Sequence, residues 1–165
     1  MNNAPIISPD PGDVAHHLSQ HDVEEVRARR ASLRRAGAGV RELLRGPGPG
    51  APASGGAVLA AVRELGQVWA RHTAATEAGD GMLAQILGDS PRLSPAVGRL
   101  RREHEAVTDA LRAVERLLAQ AGPEAPVGPP AGPALDRLLD AVDRHRRDGR
   151  RLIYDAYQVD LGLGE

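Results

Sequence analysis

Between Leu100 and Leu118 the chain reads LRREHEAVTDALRAVERLL, and Leu100, His104, Val107, Leu111, Val114 and Leu118 recur within it at steps of four, three, four, three and four. That spacing is the signature of one buried stripe on an α-helix. The second stripe position is a histidine. An imidazole among aliphatic side chains needs a hydrogen-bond partner or a metal, because a buried polar group left unpaired costs about 1–3 kcal/mol. The partner must come from elsewhere in the chain.

The same periodicity recurs three times. Val58, Val62, Leu65, Trp69 and His72 step by four, three, four and three, which predicts a second helix with a bend or break at Gly79 and Gly81 before Met82, Leu83, Ile86 and Leu87. Leu135, Leu138, Val142, His145, Gly149, Leu152 and Ala156 share one face of another. Ahead of both, Asp13 is a candidate N-cap for a helix through Val14, Leu18, Val26, Leu33 and Ala36, ending at Gly37 or Gly39 unless Val40 to Leu44 adds a turn. The connections are Gly46 to Gly56 (GPGPGAPASGG), expected to be flexible, a short loop at Gly88 to Pro95, and a stiff proline-rich linker at Gly122 to Pro133. Four amphipathic helices on modest connections predict an all-α fold, an antiparallel up-down four-helix bundle over 13–158. Residues 1–12 are expected to be a flexible N-terminus and 159–165 a C-terminal tail.

Composition narrows the function. The 21 basic and 22 acidic residues are interleaved and leave a net charge of −1, so nucleic acid is not an expected partner. No cysteine is present, which removes disulfides and thiolate metal sites and leaves nitrogen and oxygen as ligands. No signal peptide or apolar span of about 20 residues is seen, so a cytoplasmic protein with no membrane partner is expected. With no Phe, one Trp and two Tyr, the core must be aliphatic, which suits closely packed helices. A phosphate loop, a GxSxG elbow and an HExxH zinc motif are all missing.

On ideal helices, at about 100° per residue, His72, His104 and His145 each fall within roughly 40° of the centre of their own apolar face. The first helix offers His16, His17 and His21; His21 lies nearest the Val14 and Leu18 side, with Glu25 one turn on. A histidine is most often a satisfied core or surface residue, but one inward histidine on each of three helices makes a shared metal site as good a reading. Bundle cores are where such sites are built.

ARHTAATE, RLRREHEAV and DRHRRDGRRLIYDAYQVD together resemble the hemerythrin-like HHE cation-binding family, specifically its short actinobacterial-type members. The resemblance covers roughly residues 14 to 158. It implies a four-helix bundle holding non-haem iron, usually two ions, through histidines and bridging carboxylates. Carried onto this chain, the expected metal ligands are His21, His72, Glu77, His104 and His145, with Glu25 a weaker oxygen candidate. The departures from the family pattern are specific. His72 has Thr76 four places on and Glu77 five; His145 has Gly149 and Arg150 there, so the fourth helix has lost its carboxylate and Gly149 leaves a hole. Asp109 points away from its stripe, and Glu77 is about 100° off its own, turning inward only if the Gly79 break allows it. Like-charged ions need anionic bridges at short range, so a site short of carboxylates suits one ion as well as two.

The activity this implies is reaction with, or sensing of, dioxygen or a related small oxidant such as peroxide or nitric oxide, whether as carrier, sensor or an oxidase or oxygenase. Two alternatives stay open: a helical sensor or interaction protein with a degraded site, and a haem-binding enzyme gripping haem b through the bundle histidines. A homodimer is left open as well.

Overall fold

A computed structural model describes residues 20–46 and 53–157 of the chain. The expected flexible N-terminus, the Asp13 cap, His16, His17 and the tail at 159–165 lie outside the described residues. The His21 side chain lies outside them too, although its backbone belongs to the first helix.

The described residues are helical and hold no strand. In order come α1 (Gln20–Leu44), α2 (Gly55–Glu77), α3 (Met82–Asp89), a 3-10 turn (Pro91–Leu93), α4 (Ser94–Ala121) and α5 (Ala131–Tyr157). The long helices form a closed ring, α1 on α2, α2 on α4, α4 on α5 and α5 back on α1, while the short α3 packs against α2, α4 and α5.

Several boundaries differ from those the sequence suggests. The first helix runs through Gly37 and Gly39 to Leu44. Two interior glycines cost about 1 kcal/mol each, but Val40 is fully buried and Leu44 packs on the core, so burial outweighs propensity. The end of the expected flexible connection is already structured: Ser54 caps α2, its hydroxyl accepting from Ala57 N. The N–H groups of Gly55 and Gly56 donate to the carbonyls of Ala125 and Pro123 in the proline-rich linker. A Cβ on Gly55 would stand 2.6 Å from the Ala125 carbonyl oxygen, which is why this approach needs glycine. Pro133 falls in the first turn of α5, where its missing N–H costs no helical bond.

The break before Met82 is sharp. α2 stops at Glu77, and the Gly81 N–H donates back to the Ala78 carbonyl at 2.8 Å. A Cβ at Gly81 would lie 2.8 Å from the carbonyl oxygens of both Ala75 and Thr76. The chain therefore folds tightly over the last turn of α2 and fixes where Glu77 stands.

The core is interrupted. One apolar cluster holds Leu33, Val62, Leu65, Trp69, Val107, Leu111 and Val142; the other holds Val26, Leu83, Ile86, Leu100, Leu152 and Ile153. Along the stripe of α4 the passage from one to the other falls at His104, on α5 at His145 and on α1 at Arg30. A polar layer thus crosses a bundle whose ends are aliphatic. Arg30, Thr76, His104 and His145 are the buried polar residues among those described, and such a layer persists only if its groups are satisfied by one another or by a ligand.

Candidate metal centre

His72 comes from α2 one turn before its end, His104 from the middle of α4 and His145 from the middle of α5. Their ring centroids are 5.5 Å apart for His72 and His104, 5.1 Å for His72 and His145 and 4.7 Å for His104 and His145. One ring nitrogen from each lies within 4.8 Å of the others. His72 Nε2 and His145 Nε2 are 2.9 Å apart. Two bonds of about 2.1 Å meeting near a right angle separate their nitrogens by about 3.0 Å, so this pair has the spacing of neighbouring ligands on one ion.

The outer nitrogens explain which atoms face inward. His104 Nδ1 lies 2.5 Å from Glu77 Oε1, and His145 Nδ1 lies 3.1 Å from Glu103 Oε2. In a neutral imidazole, Nδ1–H donating to a carboxylate leaves Nε2 as the lone-pair nitrogen. A carboxylate behind the histidine is the usual support of a metal-ligating ring, setting its tautomer and raising its basicity. His104 Nε2 is buried without a partner, as is His72 Nδ1. The lone pair of His104 Nε2 is one that a metal ion would satisfy, whereas His72 Nδ1 is the other nitrogen of a ring that meets His145 through Nε2.

Burial keeps His72 and His145 neutral. Burial pushes His72 down to about 3 and His145 down to about 2, with the neighbouring imidazoles adding to the shift. Protons therefore do not compete for these nitrogens near neutrality. Glu103 moves the other way: burial, with the Asp148 carboxylate next, pushes it up to about 7.

Trp69 closes the layer from the aliphatic side. Its indole is edge-on to His145 at 4.9 Å and to His104 at 5.7 Å, and its Nε1–H donates to Thr108 Oγ1 at 3.1 Å. Thr108 in turn donates to the His104 carbonyl, and Thr76 to that of His72. On the other side a cavity of about 30 Å³ touches His72, Thr76, His145 and Gly149.

Of the residues expected from the sequence, His72, His104 and His145 come together. Glu77 stands behind His104, outside the group of ligand atoms. Glu25 pairs with Arg29 in solvent, its side chain 51% exposed, and Asp109 pairs with Arg112 on the outside of α4. Sequence reasoning missed Trp69, Glu103 and Arg30 as parts of this layer. Trp69 and Arg30 carried a signal, since each occupies a stripe position: Trp69 three before His72, Arg30 between Val26 and Leu33 at steps of four and three. Glu103 carried none, because its contact is to a different helix.

The chain matches no protein-family profile, no curated protein and no solved structure. The functional reading rests on the residues and their geometry.

Proposed function

We propose that the chain is a hemerythrin-like metal-binding protein, an antiparallel up-down bundle holding a single first-row metal ion on His72, His104 and His145. The observation that carries this reading is the convergence of three imidazoles, two backed by carboxylates, in a layer between two apolar clusters. Imidazole ligands suit iron, zinc, copper and nickel; iron is the ion the family resemblance implies. The group holds three nitrogens and no carboxylate, so nothing in it bridges a second ion, and charge repulsion favours one ion over two.

A ferrous ion held by His72, His104 and His145 would supply the redox chemistry for a small oxidant such as dioxygen, peroxide or nitric oxide. The residues do the rest. Glu77 and Glu103 stand behind their histidines as hydrogen-bond acceptors and hold them in the correct tautomer. Leu83, Leu100, Leu152 and Ile153 form the apolar part of the adjoining cavity's wall, and its volume suits a ligand of two or three non-hydrogen atoms. The cavity of about 30 Å³, against about 300–1,000 Å³ for cofactor sites, supports a metal ion with a small ligand over a haem.

Metal-stripped protein titrated with ferrous iron or zinc should take up one ion per chain, and His104→Ala should bind it more weakly by about tenfold or more. A competing reading has one observation in its favour. The His72 to His145 hydrogen bond satisfies those two nitrogens without metal, as it would in a helical interaction protein whose site has decayed. A melting temperature indifferent to both metals would favour that reading.

A further inference from the structure

The α1 position in the histidine layer is filled by Arg30, and its surroundings are unusual for a buried cation. The residue is 6% exposed. It makes one hydrogen bond, from Nη2 to the Arg146 carbonyl, while its Nε is buried with no partner. No carboxylate pairs with it among the described residues; the charges that act on it are those of Arg146 and Arg150. A buried guanidinium without an anion is strongly destabilising, and an arginine held this way is normally matched to a carboxylate or another oxyanion.

The space for that anion is present. Arg29, Arg30 and Arg146 line the cavity beside His72 and His145, and no acidic side chain lines it. Arg146 Nε is likewise buried without a partner. Gly149, where a helix-favouring residue would otherwise stand, leaves its Cβ position 3.9 Å from Arg30 Nη1, so the missing side chain opens the room in front of the guanidinium. At about 30 Å³ the cavity holds roughly two waters' worth of probe volume, enough for a planar anion of three non-hydrogen atoms and too little for phosphate or sulfate.

We propose that this cavity is a binding site for a small monovalent oxyanion of the size of nitrite or formate, gripped by the Arg30 guanidinium on one side and facing His72 and His145 on the other. The inference deepens the metal reading, on which it rests for the anion's role as a neighbour or co-ligand of the ion. Anion binding itself is measured separately. A divalent ion on three neutral imidazoles carries two positive charges, so the guanidinium beside it makes an anionic ligand the natural complement.

The probes are sodium nitrite and sodium formate, titrated into metal-stripped and zinc-loaded protein against sodium chloride at equal ionic strength, followed by calorimetry and by Trp69 fluorescence. Nitrite and formate should bind saturably to wild type and raise its melting temperature, with sulfate and chloride inert. Arg30→Gln should weaken binding by about tenfold or more, as expected for loss of a charge-assisted hydrogen bond, while zinc stoichiometry is unchanged. Arg112→Gln, altering a guanidinium paired with Asp109 on the outside of α4 and away from the cavity, should bind as wild type. Should Arg30→Gln not fold, the Arg30 Nε–H resonance in wild type must shift on nitrite addition and not on chloride addition. Equal responses to nitrite, formate and chloride in wild type, or undiminished binding in Arg30→Gln, would overturn the proposal. Nitrite binding that needs Arg30 in a chain that takes up no metal supports the anion site and removes the metal reading; zinc uptake without any anion response does the reverse.

Discussion

Acidification should destabilise the metal-free protein by an amount that depends on one half-buried carboxylate, Glu103. His72 and His145 are neutral when folded, held at about 3 and about 2, against 6.5 when exposed. A folded pKa below the unfolded one means that the unfolded chain takes up protons first, so stability falls as pH drops through 6.5. From pH 7.5 to pH 5 each imidazole costs about 2 kcal/mol, roughly 4 kcal/mol for the two. Glu103 opposes this. Its folded pKa is raised to about 7 from 4.5, so the folded chain takes up its proton first, and acidification over the same range returns about 2 kcal/mol. Wild type should therefore lose about 2 kcal/mol net, and Glu103→Gln, which keeps an oxygen for His145 Nδ1 but cannot titrate, about 4 kcal/mol. Urea unfolding with a chelator at both pH values measures the two losses, and all other carboxylates are common to both proteins. Equal losses in the two proteins, or none in either, would refute the neutral buried imidazoles and the raised Glu103.

Other substitutions test separate parts of the site. Glu77→Gln should leave the fold intact and weaken zinc binding by about 10- to 100-fold, the usual effect of removing a carboxylate behind a ligating histidine, as read by competition with a chromophoric chelator. Gly81→Ala places a Cβ 2.8 Å from two backbone carbonyls; we expect a loss of about 1–3 kcal/mol in urea unfolding, and weaker zinc binding because Glu77 moves with the end of α2. Gly149→Ala meets Arg30 and Leu100 only at ordinary contact distance, so it should stabilise the chain by about 0.4–1 kcal/mol, a rise in melting temperature of about 1–4 °C, while narrowing the cavity and weakening nitrite binding.

The helices and most of the layer were legible because both are written in the same period. A stripe at steps of three and four names the buried face, and His72, His104 and His145 stand on it, so their convergence followed once the helices packed around one core. Helix ends were less legible. Gly37 and Gly39 read locally as a stop, yet Val40 and Leu44 find burial beyond them, a tertiary gain that propensity does not contain. The role of Glu77 depends on how the backbone folds over α2 at Gly81, a contact between carbonyls and a missing Cβ that no periodicity encodes. Glu103 supports a histidine on another helix, and only the packing of α4 on α5 reveals it. Arg30 stands as a charge in an apolar stripe, but its burial with no carboxylate partner among the described residues emerges only from the folded structure.

X-ray absorption at the metal edge of zinc- or iron-loaded protein tests the central claim most directly. Three imidazole scatterers at about 2.0–2.1 Å, falling to two in His104→Ala wherever metal is retained, is the result the account predicts. A shell of oxygens alone, or an imidazole count unchanged by that substitution, would contradict it.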